Sequence, residues 1–362
     1  MKNTIGNNVA VTLFGESHGD AIGAVIDGLP SGISVNEDFI KSQLSLRRPS
    51  GAISTGRQEA DNFKILSGVF EGKTTGTPLC IVIENADTRS KDYERSIARP
   101  SHADYTAFIK YNGFEDFRGG GHTSGRITAA LVAAGAIIIS ALKEKGILIG
   151  THIKAISDVA DCDFSGDLEA EIKALGNKTF AVLDDTKKAL MEEKITLAKA
   201  EGDSVGGILE TVVLNMPAGA GEPLFDTVEG MLSKALFAIP AIKGVEFGDG
   251  FNIAALKGSE ANDAIFCENG KIATKTNHNG GINGGITNGM PIIFRTAIKP
   301  TPTISKEQNT VDFIKCENVK YTALGRHDPC IVHRARVVQD SVTAIVLADI
   351  LATRYGTDWR GI

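Results

Sequence analysis

The chain has 362 residues, 42% hydrophobic and 23% charged, with 38 basic and 44 acidic side chains for a net charge of −6. That composition excludes a disordered chain, supplies enough apolar material for one large core or two ordinary ones, and gives no overall attraction to nucleic acid or to an anionic membrane. Five scattered cysteines, Cys80, Cys162, Cys267, Cys316 and Cys330, form no C-x-x-C pair, so they read as reduced thiols in a cytoplasmic protein, and no metal site is expected.

The N-terminus reaches polar and glycine residues before any apolar run forms, so no signal peptide is expected. A strand over 9–14 leads into Gly15-Glu16-Ser17-His18-Gly19, where polar groups crowd between two glycines. A surface turn has the same composition as a catalytic loop, but His18 brings the one side chain that titrates near neutrality unaided. Asn36 is placed to cap a helix running to about residue 46, which Arg47-Arg48-Pro49-Ser50 closes. Cations suit a helix C-terminus, and paired guanidiniums also clamp carboxylate or phosphate. The segment from Gly68 to Thr74 resembles a nucleotide-binding P-loop but is one residue short and sits in a strand-and-turn setting, which excludes an ATP site there.

After a strand over 79–83, Arg99-Pro100-Ser101-His102-Ala103-Asp104 precedes a helix. Ser101 or Asp104 is expected to cap it and to hold His102 beside the positive end of the dipole. Arg118-Gly119-Gly120-Gly121-His122-Thr123-Ser124-Gly125-Arg126 then opens an apolar stretch over 127–142. Three consecutive glycines carry an entropy cost that a plain linker need not incur, and they point to backbone amides wrapping an anion. The stretch itself falls short of the roughly 20 residues that span a bilayer and reads as a helix buried on nearly all sides.

Helices are expected over 168–175 behind Asp167, then over 187–201, 227–238 and 341–355, with strands over 205–214 and 291–297. The C-terminal third adds three polar loops: Asn277-His278-Asn279-Gly280-Gly281-Ile282-Asn283-Gly284-Gly285, Lys299-Pro300-Thr301-Pro302-Thr303, and Gly325-Arg326-His327-Asp328-Pro329-Cys330. In the last, Arg326 stands two residues from Asp328, an arrangement that suits a structural ion pair as well as a functional one, and Arg334 and Arg336 add positive charge nearby. The mixed element order predicts an α+β fold, and the lack of a linker predicts a single intertwined domain over 1–362.

Taken in order, the Gly15 to Gly19 loop, Arg47-Arg48-Pro49, the Arg99 to Asp104 segment, the triple glycine, Gly202-Asp203-Ser204 and the Gly325 to Cys330 loop resemble the chorismate synthase family. That resemblance implies a β-α-β sandwich with central helices between antiparallel sheets, assembled as a homotetramer. It also implies a lyase reaction, the last step of the shikimate pathway towards the aromatic amino acids. Here 5-enolpyruvylshikimate 3-phosphate loses phosphate and a ring proton by 1,4-elimination to give chorismate. Reduced FMN (FMNH2) takes part without net redox change, lending electron density as the C–O bond breaks and recovering it as the C–H bond is lost.

By matching positions, His18 resembles the acid that protonates the departing phosphate, and His102 the histidine supporting the flavin N1 region. Asp328 resembles the carboxylate near flavin N5, with Ser17 and Ser124 as hydroxyl relays. Arg47, Arg48, Arg126 and Arg334, with Arg326, are implied for substrate phosphate and carboxylates. Cofactor contacts are implied at His122, Thr123, Ser124, Ala241, Gly284, Lys299, Pro300, Thr301, Pro302, Thr303 and Arg326, with Arg47 at a position that contacts NADP in some members. The chain departs from the family pattern where His122-Thr123-Ser124 stands for Arg-Ser-Ser, where Pro240 stands for asparagine, and where Ile53 stands for a second nicotinamide-contacting arginine. The last departure predicts a monofunctional enzyme fed by an external flavin reductase. A phosphotransferase or metal phosphatase would need a nucleotide loop or a carboxylate cluster that the sequence does not show. A non-catalytic anion binder would leave the two loop histidines and Asp328 without a use.

Overall fold

The computed structural model describes residues 2–49, 51, 53–54, 60–86, 93–323 and 327–361. Alternating β-branched residues lay down two five-stranded sheets, antiparallel throughout. In the first, the spatial order is Thr4–Ile5, Ala10–Gly15, Ala21–Asp27, Leu79–Glu84 and Phe63–Ser67. The second runs Ile242–Phe247, Ile292–Ile298, Gly207–Leu214, Leu148–Ile156 and Val159–Ala160.

Two long helices fill the space between them. Thr128–Glu144 packs on Ala21–Asp27 and Leu79–Glu84 of the first sheet, and Val332–Tyr355 packs on Leu148–Ile156 and Gly207–Leu214 of the second. They cross tightly: a Cβ on Gly135 would stand 2.3 Å from Ser341 Cβ, so only glycine permits this approach. The segment Gly125–Glu144 is 20 residues long and apolar enough to cross a bilayer, but 83% of it is buried inside the fold. Burial rather than length assigns it to the core. One apolar cluster runs from Val9 to Trp359 through both sheets and both helices, which gives the α+β sandwich with central helices that the sequence leads one to expect.

Side-chain caps fix four of the helix starts among the described residues. The Asn36 side chain accepts from Phe39 N–H, Asp167 from Ala170 N–H and Thr227 from Gly230 N–H. The helix expected over 187–201 is Asp185–Ala200, because Asp184 caps it by accepting from Thr186 N–H at 2.9 Å. The C-terminal helix begins at Val332, nine residues before the expected start at 341. His333, Arg336, Gln339 and Asp340 interrupt the apolar pattern there, yet all four are buried. Gln339 accepts from Thr296 Oγ1 at 2.6 Å and donates to Thr211 Oγ1 at 2.7 Å, while Asp340 accepts from Thr151 Oγ1 at 2.6 Å. A polar network with the second sheet thus replaces the apolar stripe.

The second sheet carries a charged row in cross-strand register: His152 opposite Glu210, Glu210 opposite Arg295, and Arg295 opposite Glu246. His152 lies 3.0 Å from Asp161 through Nδ1 and 3.0 Å from Glu210 through Nε2. Burial alone would lower its pKa, but the two carboxylates hold it above the usual histidine value.

Candidate active site

Helix ends converge on one cavity. Arg47 closes the helix Glu37–Arg47 and Arg48 follows it, Arg126 sits in the short turn Gly125–Ile127 ahead of the central helix, and Arg334 lies in the first turn of the C-terminal helix. These four arginines line a cavity of about 240 Å³ together with Ser124 and Asp328.

Below them is Asp61, its side chain fully buried. Arg47 Nη2 donates to Asp61 Oδ2 at 3.0 Å, Arg48 Nε lies 3.5 Å from the same oxygen, and Arg126 Nη1 donates to Oδ1. Burial pushes the Asp61 carboxyl up, but Arg47 and Arg126 outweigh it and hold it below the usual carboxylate range. Burial lowers the Arg47 guanidinium, with Asp61 opposing. The Nε of Arg47 is buried with no hydrogen-bond partner among the described residues.

Arg334 Nε donates to Arg47 O at 2.8 Å and its Nη1 donates to Asp328 Oδ2 at 2.5 Å. Asp328 therefore pairs with Arg334. Arg326 lies outside the described residues, together with Gly325.

The Gly15 to Gly19 loop adjoins this assembly. His18 is 8% exposed and meets Tyr93 edge-on at 5.4 Å between ring centroids. Ser17 is fully buried, and its Oγ has no partner among the described residues. Both pack against the triple glycine. At Gly119, with φ +61, a Cβ would sit 2.6 Å from His18 Nε2 and 2.9 Å from Ser17 Oγ. Gly121 O accepts from Ser17 N–H at 3.1 Å, and His122 Nδ1–H donates to Gly15 O at 2.7 Å. Beside the anion that these glycines are expected to wrap, Gly119 has a packing reason of its own, to let backbone lie flat against the histidine loop. Ser124 faces the arginine cavity, whereas Gly120, His122 and Thr123 line a separate cavity of about 560 Å³ with Phe14, Tyr111 and Phe114.

A second cluster forms where the Arg99 to Asp104 segment meets the Lys299 to Thr303 loop. His102 Nε2 lies 2.7 Å from Thr303 Oγ1, Lys299 Nζ donates to Ser101 O at 2.8 Å, and Lys299 N–H donates to Ala241 O at 3.0 Å. Ser204 Oγ donates to Thr301 O at 2.6 Å, which gives the Gly202-Asp203-Ser204 motif its structural role. Neither Ser101 nor Asp104 caps the following helix, Asp104–Lys110, whose N-cap is Ala103. Asp104 instead takes the Arg99 fork at 2.8 and 2.7 Å, a bidentate pair stronger than a cap.

This cluster is electropositive. Burial, Arg99 and Lys299 bring His102 down to about 4, with Asp104 opposing, and burial and Lys243 lower Lys299. Thr301 Oγ1 is buried without a partner among the described residues, and Ala241 holds a left-handed φ of +76. Cations, an orphaned hydroxyl and a neutral imidazole fit an anionic, phosphorylated ligand. Pro240 lines the arginine cavity and precedes Ala241, whose carbonyl accepts from Lys299 N–H in the second cluster. Gly284 is not brought to either. It turns the hairpin between Ile282–Asn283 and Ile286–Thr287, where its neighbour Gly285 accepts from Val228 N–H at the start of the helix Val228–Leu236.

Sequence reasoning missed two residues, Asp61 and Asn85. Both stand outside the glycine-flanked motifs; the one available signal was that paired arginines ending a helix need a buried counter-ion. Asn85 Oδ1 accepts from Arg126 Nε at 2.9 Å.

Residues 9–352 match the family model for chorismate synthase. A chorismate synthase of Methanobrevibacter smithii is 48% identical over 352 residues, covering 96% of both chains. One from Dehalococcoides mccartyi is 47% identical over 360 residues, covering 98% of each. A crystal structure of chorismate synthase superposes with a TM-score of 0.77 at 31% identity, covering 97% of this chain and 94% of that one.

Proposed function

This chain belongs to the chorismate synthase family, and we propose that its arginine cavity holds the phosphate and carboxylates of 5-enolpyruvylshikimate 3-phosphate during the 1,4-elimination to chorismate. The observation that carries this reading is the set of four guanidiniums around one cavity, with Arg47 presenting a buried Nε–H that has no partner among the described residues. Held by Asp61 and Arg334's own contacts, these donors are oriented before any ligand arrives. They stabilise charge as it collects on the departing phosphate, where one well-placed donor is worth ~10²-fold or more in rate.

His18 delivers the proton to that phosphate, and Ser17, whose hydroxyl has a free hydrogen-bonding capacity beside it, relays protons with Ser124. Asp328, held in place by Arg334, stands as the carboxylate expected beside flavin N5 and, with Ser17 and Ser124, moves the proton released as the ring C–H bond breaks. His102, Ala241, Lys299, Pro300, Thr301, Pro302 and Thr303 hold the phosphorylated flavin, with Lys299 and the Thr301 hydroxyl as its anion donors and His102 beside the ring system. Reduced FMN, when bound, supplies electron density that eases C–O cleavage without net redox change. His122, Thr123 and Gly284 join the cofactor set only through the second cavity and the hairpin, and the homotetramer is the assembly in which they would meet it.

The whole chain acts as one domain in the cytoplasm, supplied by an external reductase. Ile53, which packs on the hydrophobic core, offers no cation to a nicotinamide dinucleotide. Sustained aerobic turnover on NADPH and FMN alone would contradict that last point. The function itself is tested by anaerobic incubation with the enolpyruvyl substrate and chemically reduced FMN. Chorismate absorbance and phosphate should appear together, and folded protein that yields neither overturns the reading.

A further inference from the structure

Three nitrogens of Arg126 are engaged within the protein: Nη1 on Asp61, Nη2 on Glu84 O at 3.2 Å and Nε on Asn85 Oδ1 at 2.9 Å. Asn85 has a second set of partners. Its Nδ2 donates to Glu16 O at 3.0 Å and to Gly19 O at 2.8 Å, the two carbonyls that bracket Ser17 and His18. Its own N–H donates to Asp20 O at 3.0 Å. The carboxamide has one orientation that satisfies all three side-chain contacts, because a guanidinium needs an acceptor and two carbonyls need donors.

We propose that Asn85 is a positioning residue for the elimination: its side chain sets the place of the His18 loop relative to the arginine cavity. Through it a continuous path runs from the loop to Arg126, Asp61, Arg47, Arg334 and Asp328. The amide ties the backbone on both sides of Ser17 and His18 to Arg126, so a shift of that amide moves the proton donor relative to the phosphate donors. The inference rests on the reading of His18 as the acid and of the arginines as the anion site.

Two variants separate the roles of the two ends of the amide. Asn85→Asp keeps volume and an acceptor for Arg126 but turns both donors into acceptors facing carbonyl oxygens. Asn85→Ala removes both ends. With the wild-type enzyme, the enolpyruvyl substrate and chemically reduced FMN, Asn85→Asp should lose ~10²-fold in kcat with KM held within about threefold. Asn85→Ala should lose kcat similarly and also raise KM about tenfold or more, because Arg126 loses an oriented partner. Should Asn85→Asp not fold by circular dichroism, Asn85→Ser, which is too short to reach the loop, takes its place and should lose kcat in the same way. Wild-type kcat in any folded variant, or the same KM change in Asn85→Asp and Asn85→Ala, overturns the proposal. An inactive wild-type enzyme would overturn the functional reading instead.

Discussion

Gly119 and Gly120 are adjacent, and both hold left-handed backbone, with φ of +61 and +81. An alanine at either place costs ~1–2 kcal/mol for that conformation alone. They differ in what the added Cβ meets. At Gly120 the nearest atom is Thr123 Oγ1 at 3.7 Å, an ordinary contact; at Gly119 it is the His18 ring at 2.6 and 2.7 Å and Ser17 Oγ at 2.9 Å. Relieving the second set requires the ring to move by about 1 Å, and misplacement on that scale costs ~10²-fold in rate. Overpacking adds ~1–3 kcal/mol to the loss of stability. Gly119→Ala should therefore unfold at lower urea than Gly120→Ala and turn over ~10²-fold more slowly, while Gly120→Ala stays within about threefold of wild type. The assay is anaerobic turnover with chemically reduced FMN, paired with a urea midpoint for each variant. Equal kcat in the two variants would refute the argument that the triple glycine exists to seat His18.

Asp61→Asn leaves three guanidiniums around a neutral amide and should cost ~3–5 kcal/mol in urea unfolding; a loss below about 1 kcal/mol would contradict the ion-pair account. The Asp61 carboxyl is depressed in the folded state, so its contribution is full above the unfolded value of ~3.9 and fades as pH falls through the folded one. His333 is brought down to about 4 by burial, with Arg334 adding and Asp328 opposing, while its Nε2 lies 2.9 Å from Ser54 Oγ. It binds fewer protons folded than unfolded between about 4 and ~6.5, so stability should fall as pH drops through that window, and His333→Gln should flatten the slope. An unchanged slope in the variant would exclude His333 as its source. His152 has the opposite sign: its raised value gives stability that is full below ~6.5 and lost as pH rises through the folded value. His152→Gln should remove that decline in urea melts across neutral to alkaline pH, and a decline that persists would exclude His152.

The strands, the central helix and the caps at Asn36 and Asp167 were legible because local rules decide them: alternation, apolar density and a polar side chain ahead of a helix. The start of the C-terminal helix was not, since Gln339 and Asp340 satisfy their polar groups on threonines of distant strands, and no local pattern reports such partners. Arg47, Arg48 and Arg126 were readable as anion ligands from their places at helix ends, whereas Arg334 entered only as nearby positive charge and through the family resemblance, because the helix that carries it was expected to begin at 341. What held them was hidden, because Asp61 acquires its role only when residues 47, 48 and 126 fold around it. The triple glycine was recognisable by its entropy cost, which signals close approach; the structure shows one such approach, of Gly119 to His18, and sequence does not say whether a ligand or a histidine makes it.

The elimination consumes no reducing equivalents and takes place in a cavity whose charge is fixed in advance. Both points are checked by counting products per flavin in an oxygen-free reaction with a small, known amount of chemically reduced FMN and excess substrate. Phosphate and chorismate should form in equal amounts, many per flavin, while the flavin absorbance stays that of the reduced form. Product that stops at one per flavin, or phosphate without chorismate, would contradict the account.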